Sequence, residues 1–141
     1  MSNRNLSELY QSVIKQHDRE PFHYQKVVGA DCEIEAYNPL CGDQFRLFLQ
    51  MEEDVVKDAH FHGYGCAISK ASTSVLMKKI IGKSTQEIQA LVADFQGIVT
   101  DASDSQDEEL NAFVAARQFP ERLQCATLSW TALEDFLNNQ R

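Results

Sequence analysis

The stretch Gly63-Tyr64-Gly65-Cys66-Ala67-Ile68-Ser69-Lys70-Ala71-Ser72-Thr73-Ser74 constrains the fold more than any other part of the chain. Glycines on both sides of Tyr64 let the backbone bend there without a Cβ penalty. Beyond Cys66 the side chains are small for two turns (Ala67, Ala71, Ser72, Ser74) and then apolar (Val75, Leu76, Ile80, Ile81). The pattern predicts a strand end, a glycine turn and a helix over Ala67–Ile81, with Cys66 at its N-terminus. Unpaired N–H groups and the helix dipole favour an anion at that position, the setting of a nucleophilic or metal-binding thiolate.

The rest of the chain builds towards this thiol and away from it. Leu6, Leu9, Tyr10, Val13 and Ile14 recur at helical spacing, predicting an amphipathic helix to about His17, and Pro21 ends it. Cys32, Ile34 and Ala36 alternate with Glu33, Glu35 and Tyr37 as a half-buried strand. Asn38-Pro39-Leu40-Cys41-Gly42-Asp43 reads as a turn. A second strand alternates Phe45, Leu47, Leu49 and Met51 with polar residues, and a third, Val55 to His62, places Val55, Ala59 and Phe61 on one face. Three strands with short turns make an antiparallel meander. After the Cys66 helix, Gly82 supplies a stop, and Ser84-Thr85-Gln86-Glu87 forms a capping box for a helix with Ile88, Leu91, Val92 and Phe95 as its stripe. Asp101–Glu109 is a solvated acidic segment with no special role expected for its charge. Leu110, Phe113 and Val114 predict a short helix, and Pro120 opens the last one, with Leu123, Leu128, Trp130, Leu133, Phe136 and Leu137 as apolar positions. The expected class is α+β: a small three-stranded antiparallel sheet packed against helices, with an N-terminal helix and a helical C-terminal half, in one domain over residues 1–141.

With 141 residues and 43% hydrophobic content, the chain is long enough for an ordinary core. Its net charge of −8, from 13 basic and 21 acidic residues, argues against a nucleic-acid partner, which calls for clustered Lys and Arg. No apolar run approaches the roughly 18 residues of a membrane span, and the start carries no signal-peptide pattern, so no membrane partner and a cytoplasmic location are expected. In a reducing compartment the four cysteines read as ligands, catalytic thiols or core residues rather than disulfides. No Cys-x-x-Cys pair occurs, which removes zinc ribbons and thioredoxin-like motifs.

Cys41 and Asp43 in one turn, Cys66 at a helix start and Cys125 near another lie at element ends, where sites are usually built. Three thiolates and a carboxylate suit Zn²⁺, while soft thiolates also suit iron–sulfur clusters. The competing reading is plain packing, since free cysteine is among the most buried residue types. Cys32, mid-strand beside Ile34, reads as core. His60 and His62 share a strand face near Cys66 at a spacing compatible with metal, although two exposed imidazoles explain them as well. His17 and His23 show no partner pattern. The dipole alone accounts for Lys78, Lys79 and Lys83 at a helix C-terminus.

Asn38-Pro39-x-Cys41-Gly42-Asp43, Phe61-x-Gly63-Tyr64-Gly65-Cys66-Ala67-Ile68-Ser69-x-Ala71-Ser72-x-Ser74 and Arg122-x-x-Cys125-Ala126 together resemble the iron–sulfur cluster assembly proteins of the IscU/SufU type, across nearly the whole chain. Within that family the chain looks like the SufU branch. Gln124 stands where IscU-type members carry a histidine, Phe119-Pro120-Glu121-Arg122 does not match their chaperone-recognition motif, and extra residues separate Cys66 from Cys125. The resemblance implies Zn²⁺ held by Cys41, Asp43, Cys66 and Cys125. It also implies a sulfurtransferase-like role, accepting persulfide sulfur from a cysteine desulfurase with Cys41 as acceptor. Arg122 would offset a ligand set that, with Zn²⁺, sums to about −2. The alternative is an IscU-like scaffold that assembles a transient iron–sulfur cluster on Cys41, Cys66 and Cys125 and passes it to apo iron–sulfur proteins or downstream assembly proteins. A structural zinc interaction domain is a third reading. A zinc deaminase would need His-x-Glu with Pro-Cys-x-x-Cys, which are absent, and a Cys–His hydrolase has only His60 and His62 to offer.

Overall fold

The computed structural model describes residues 3–39, 42–100, 107–118 and 122–139. An N-terminal helix α1 (Asn3–Arg19) precedes three strands, β1 (Cys32–Asn38), β2 (Asp43–Glu52) and β3 (Val55–Tyr64). Helices α2 (Ala67–Ile80), α3 (Thr85–Thr100) and α4 (Glu108–Asn111), a 3₁₀ helix (Ala112–Gln118) and α5 (Leu123–Asn138) follow. The strands form one antiparallel sheet in the order β1-β2-β3, the expected meander.

Alternation sets the inner face of the sheet: Ile34 and Ala36 on β1, Phe45, Leu47 and Leu49 on β2. Phe48, on the opposite face, is buried as well. On β3 the expectation for Val55 is overturned. The register slips between Gln50 and Met51, so that Gln50 pairs with Asp58 and Met51 with Val56. Lys57 is therefore an extra residue, and one extra residue reverses the side-chain alternation beyond it. Val56 is fully buried, and Val55 is turned out to solvent.

The segment between α1 and β1 is not a free loop. The Gln25 N–H donates to the Phe61 carbonyl at 2.8 Å and the Phe61 N–H to the His23 carbonyl at 3.2 Å, so a short parallel strap runs along the outer edge of β3. Tyr24 sets its ring edge-on against Phe61 and its hydroxyl donates to the Gly63 carbonyl.

Helix α2 is the central element, buried at Ser69, from Ala71 to Met77 and again at Ile80. Its small side chains admit close neighbours, and its buried hydroxyls have partners. Thr73 Oγ1 lies 2.7 Å from Ser129 Oγ, and Trp130 Nε1–H donates to Ser72 Oγ at 2.9 Å. Buried hydroxyls so arranged avoid the roughly 1–3 kcal/mol cost of an orphaned polar group. Around them one hydrophobic cluster joins the sheet, α1, α2, α3 and α5, and Phe95 stacks on Trp130 at 3.9 Å. The helix ends one residue earlier than expected, with Ile81 as its cap and Gly82 at φ +86° donating its N–H to the Val56 carbonyl. The capping box of α3 is present in both directions: Glu87 N–H to Ser84 Oγ, and Ser84 N–H to Glu87 Oε1. Helix α5 starts at Leu123, later than Pro120, which lies outside the described residues.

Candidate metal centre

The end of β3, the start of β2 and the first turns of α2 and α5 meet at one place. Cys66 is the N-cap of α2 in extended conformation, its sulfur accepting the Ser69 N–H at 3.4 Å. Ser69 Oγ lies 3.5 Å from the same sulfur. Asp43, the first residue of β2, is buried, and its Oδ1 accepts the Cys66 N–H at 2.9 Å. Its Oδ2 stands 4.0 Å from the Cys66 sulfur. Cys125, buried in the first turn of α5, completes a group whose ligand atoms all lie within 4.8 Å of one another.

The two glycines of the motif differ in role. Gly63 sits at φ +146°, and a Cβ there would lie 2.1 Å from the Gln44 carbonyl oxygen and 2.7 Å from Phe45 Cα. It lets β3 press against β2. Gly65 leaves room for the site, because a Cβ there would meet Asp43 Oδ1 and Ser69 Oγ at 2.7 Å.

The donor set fits a soft-to-borderline divalent metal. A buried carboxylate is costly unless paired or bound to a cation, and Asp43 is only 1% exposed. It faces two sulfurs, at the end of a helix whose dipole attracts negative charge. Two thiolates and a carboxylate at this spacing match the ligand types of Zn²⁺ and of iron.

Of the residues singled out in the sequence, Asp43, Cys66 and Cys125 are brought together, and Cys41 lies outside the described residues. Its flanks are described: the Gly42 N–H donates to the Asn38 carbonyl at 2.8 Å, and Asn38 Nδ2 reaches towards Gln124 Oε1 at 3.5 Å. These contacts tie the turn to the start of α5. Arg122 is the exposed N-cap of α5. Cys32 is half-buried against the core, apart from this group, and burial followed by the nearby Asp31 pushes its thiol up.

Tyr10 packs edge-on against Phe113, close enough to the thiols to feel their charge, and was legible only as a residue of the α1 stripe. Burial pushes its phenol up to about 12. Arg122 pulls it down, and Cys66 and Cys125 push it up further. Its position against both thiols depends on how α1 crosses α2, which no local pattern encodes. His60 and His62, compatible in sequence with a metal pair or with two exposed imidazoles, have separate partners. His60 stacks on His23 of the strap and His62 tilts against Tyr24, and neither joins the thiol group.

A small antiparallel sheet backed by helices, with a cysteine–aspartate cluster where strand and helix ends converge, defines an α+β protein with a candidate thiolate metal centre. Residues 9–135 match the NifU-like N-terminal domain family. The chain is 37% identical over 135 residues to a zinc-dependent sulfurtransferase SufU from Bacillus subtilis (strain 168), covering 94% of this chain and 91% of that one. It is 34% identical over 138 residues to an iron–sulfur cluster assembly scaffold protein IscU from Streptococcus pyogenes serotype M1, covering 96% and 86%. The structure of a candidate iron–sulfur cluster assembly scaffold protein for the SUF system from Fervidobacterium islandicum AW-1 superposes with a TM-score of 0.84. Its identity is 29%, and the match covers 92% of this chain and 97% of that one. The chain belongs to the NifU-like N-terminal domain family and is an iron–sulfur cluster assembly protein of the IscU/SufU type.

Proposed function

We propose that the protein is a zinc-bound sulfur acceptor that takes persulfide sulfur from a cysteine desulfurase and supports cluster assembly in the cytoplasm. The observation that carries this reading is the convergence of Asp43, Cys66 and Cys125 ligand atoms within 4.8 Å around a buried carboxylate. Cys41, in the turn before Asp43, is the fourth ligand and the acceptor. Zinc in such a set supplies charge neutralisation and holds the thiolates at neutral pH. The residues do the rest. The Cys41 thiolate attacks the terminal sulfur of the desulfurase persulfide, the S–S bond breaks, and the desulfurase thiolate leaves with its electron pair. One sulfur moves from one thiol to the other with no net oxidation. Gly42, at φ +74° beside Cys41, gives that turn a backbone state most residues disfavour. Arg122 offsets the negative ligand set, and the recipients are apo iron–sulfur proteins or downstream assembly proteins.

Metal analysis of protein purified anaerobically, before and after incubation with desulfurase and cysteine, tests the reading. Zinc alone, with an added sulfur on the Cys41 peptide by mass spectrometry, is the expected result. Iron with acid-labile sulfide would instead favour a scaffold that builds a cluster on Cys41, Cys66 and Cys125, and persulfide confined to Cys66 or Cys125 would overturn Cys41 as acceptor.

A further inference from the structure

We propose that His23, Asp58 and His60 form a second metal site, for Fe²⁺ or a similar first-row divalent ion, on the opposite face of the sheet from the core. The group lies where the strap runs alongside β3. Asp58 and His60 are two apart on β3 and share its outer face, and His23 stacks on His60 with ring centroids 4.7 Å apart and planes 18° apart. The Asp58 carboxylate approaches both rings, its Oδ1 3.3 Å from His23 Nδ1 and its Oδ2 3.9 Å from His60 Nε2. The three ligand atoms lie within 4.8 Å of one another.

Two features separate this group from an ordinary aromatic stack. His60 Nδ1 is buried with no hydrogen-bond partner, so the ring has a nitrogen free and no bond holding its orientation. Neither carboxylate–imidazole distance is that of a good hydrogen bond. Ligand atoms bonded at about 2.1 Å to one ion sit roughly 3–3.4 Å apart, so atoms that lie up to 4.8 Å apart here must close by about 1.5 Å. The exposed His23 ring is the one placed to move. His23 is 37% exposed and exchanges its 2.9 Å contact with the Ala59 carbonyl for the ion by a ring rotation. Stacking of Phe22, His23 and His60 explains the ring planes, and with His60 Nδ1 unpartnered no hydrogen bond opposes a turn of that ring towards Asp58.

The donor chemistry sets the ligand class. Two imidazoles and one carboxylate, with the remaining positions open to solvent, are the donor set of non-haem Fe²⁺ sites. The thiolate centre, with its soft sulfurs, prefers Zn²⁺, and Fe²⁺ lies below Zn²⁺ in the affinity order, so added Fe²⁺ leaves zinc in place. The two centres thus separate the two metals by ligand type. This site stands whether the thiolate centre relays sulfur or builds clusters.

The test is equilibrium dialysis of the zinc-loaded protein against Fe²⁺ under argon, with both metals counted. The expected result is one Fe²⁺ beyond the zinc, with broadening of the His23 and His60 imidazole resonances in the NMR spectrum. Asp58→Asn, at a half-exposed position, and His60→Gln should each lose the Fe²⁺ and keep the zinc, with unchanged circular dichroism. No additional Fe²⁺, or a second equivalent that survives both substitutions, would overturn the site. If His60→Gln unfolds, Asp58→Asn alone decides it.

Discussion

The two ends of α2 carry opposite electrostatic problems and solve them differently. At the C-terminal end, Lys78 and Lys79 lie on the negative pole of the dipole and meet Glu109 of α4 at 2.9 Å, with Lys79 also 2.9 Å from Asp107. Glu109 accepts from His17 Nε2 at 2.5 Å, and His17 Nδ1 pairs with Ser74 Oγ at 2.7 Å. Ser74 Oγ in turn accepts the Phe22 N–H. Cations, anions and hydroxyls there answer one another within the protein. The N-terminal end gathers two sulfurs and a buried carboxylate instead. That end presents a set of donors that a cation would complete. Two poles of one helix thus mark which cluster is architecture and which is chemistry: a closed network holds the fold, and an excess of donors makes a site.

The largest expected effect removes the comparison altogether. Gly63→Ala drives a Cβ into the backbone of Gln44 and Phe45, which no side-chain rotation relieves. Separating β3 from β2 at the mouth of the site should cost about 4 kcal/mol or more, or abolish folding. A denaturant midpoint within reach of wild type would show that the strand ends are not held as described.

Glu109→Gln comes next and strikes only the closed end. Burial raises the Glu109 carboxyl, but hydrogen bonds from Lys78, Lys79 and His17 outweigh it and hold the group at about 2. A folded-state value below the unfolded one, near 4.5, gives stability that is fully present above pH 4.5 and lost as the pH falls through 2. The contribution is up to about 3 kcal/mol. Denaturation followed from pH 6 to pH 2 should show a steep acid loss in wild type and a flatter profile in Glu109→Gln, with bound zinc unchanged. A loss of zinc in this variant would mean the two ends are not independent.

The contrast between the ends also marks what was legible in the sequence. The strand alternation, the Gly82 stop, the Ser84 capping box and the thiol at the start of α2 are local patterns, and each appears in the structure. The Lys57 bulge is not local: one extra residue depends on how β2 and β3 close against each other, and it moved Val56 rather than Val55 into the core. The closed end was missed for the same reason. His17 and Glu109 are 92 residues apart, so the helix dipole was credited with holding lysines that in fact hold carboxylates. His23 and His60 are likewise joined only by the strap. At the open end, Asp43, Cys66 and Cys125 stood out because sulfur is rare and sits at element ends, whereas Tyr10 was hidden in a hydrophobic stripe.

A smaller effect on the fold, and a sharper one on the open end, comes from the thiols. Cys66→Ala and Cys125→Ala should each lower bound zinc, measured by metal analysis of the purified protein, while Cys32→Ala leaves it unchanged. Cys32 packs beside the hydrophobic core and takes no part in the ligand group. Zinc lost from Cys32→Ala and kept in Cys125→Ala would reverse the assignment.

The finest cut is Asp43→Asn, chosen over alanine because Asp43 does two things. Its Oδ1 caps the Cys66 N–H at 2.9 Å, and its charge sits among the sulfurs. An asparagine keeps an oxygen acceptor for that N–H, so the helix start and the stability should change by no more than about 1 kcal/mol. What it removes is the anionic oxygen ligand, the hardest and most weakly held donor of the set for a borderline-soft metal. If that oxygen is the arm that lets a thiolate exchange, wild type and Asp43→Asn loaded to equal metal content should differ in the rate of sulfur or cluster transfer to an apo-acceptor, with the variant slower. Asp43→Ala should be slower still and also less stable, because it loses the cap as well. Equal transfer from wild type and Asp43→Asn would reduce Asp43 to a helix cap, and the open end of α2 would then owe its chemistry to sulfur alone.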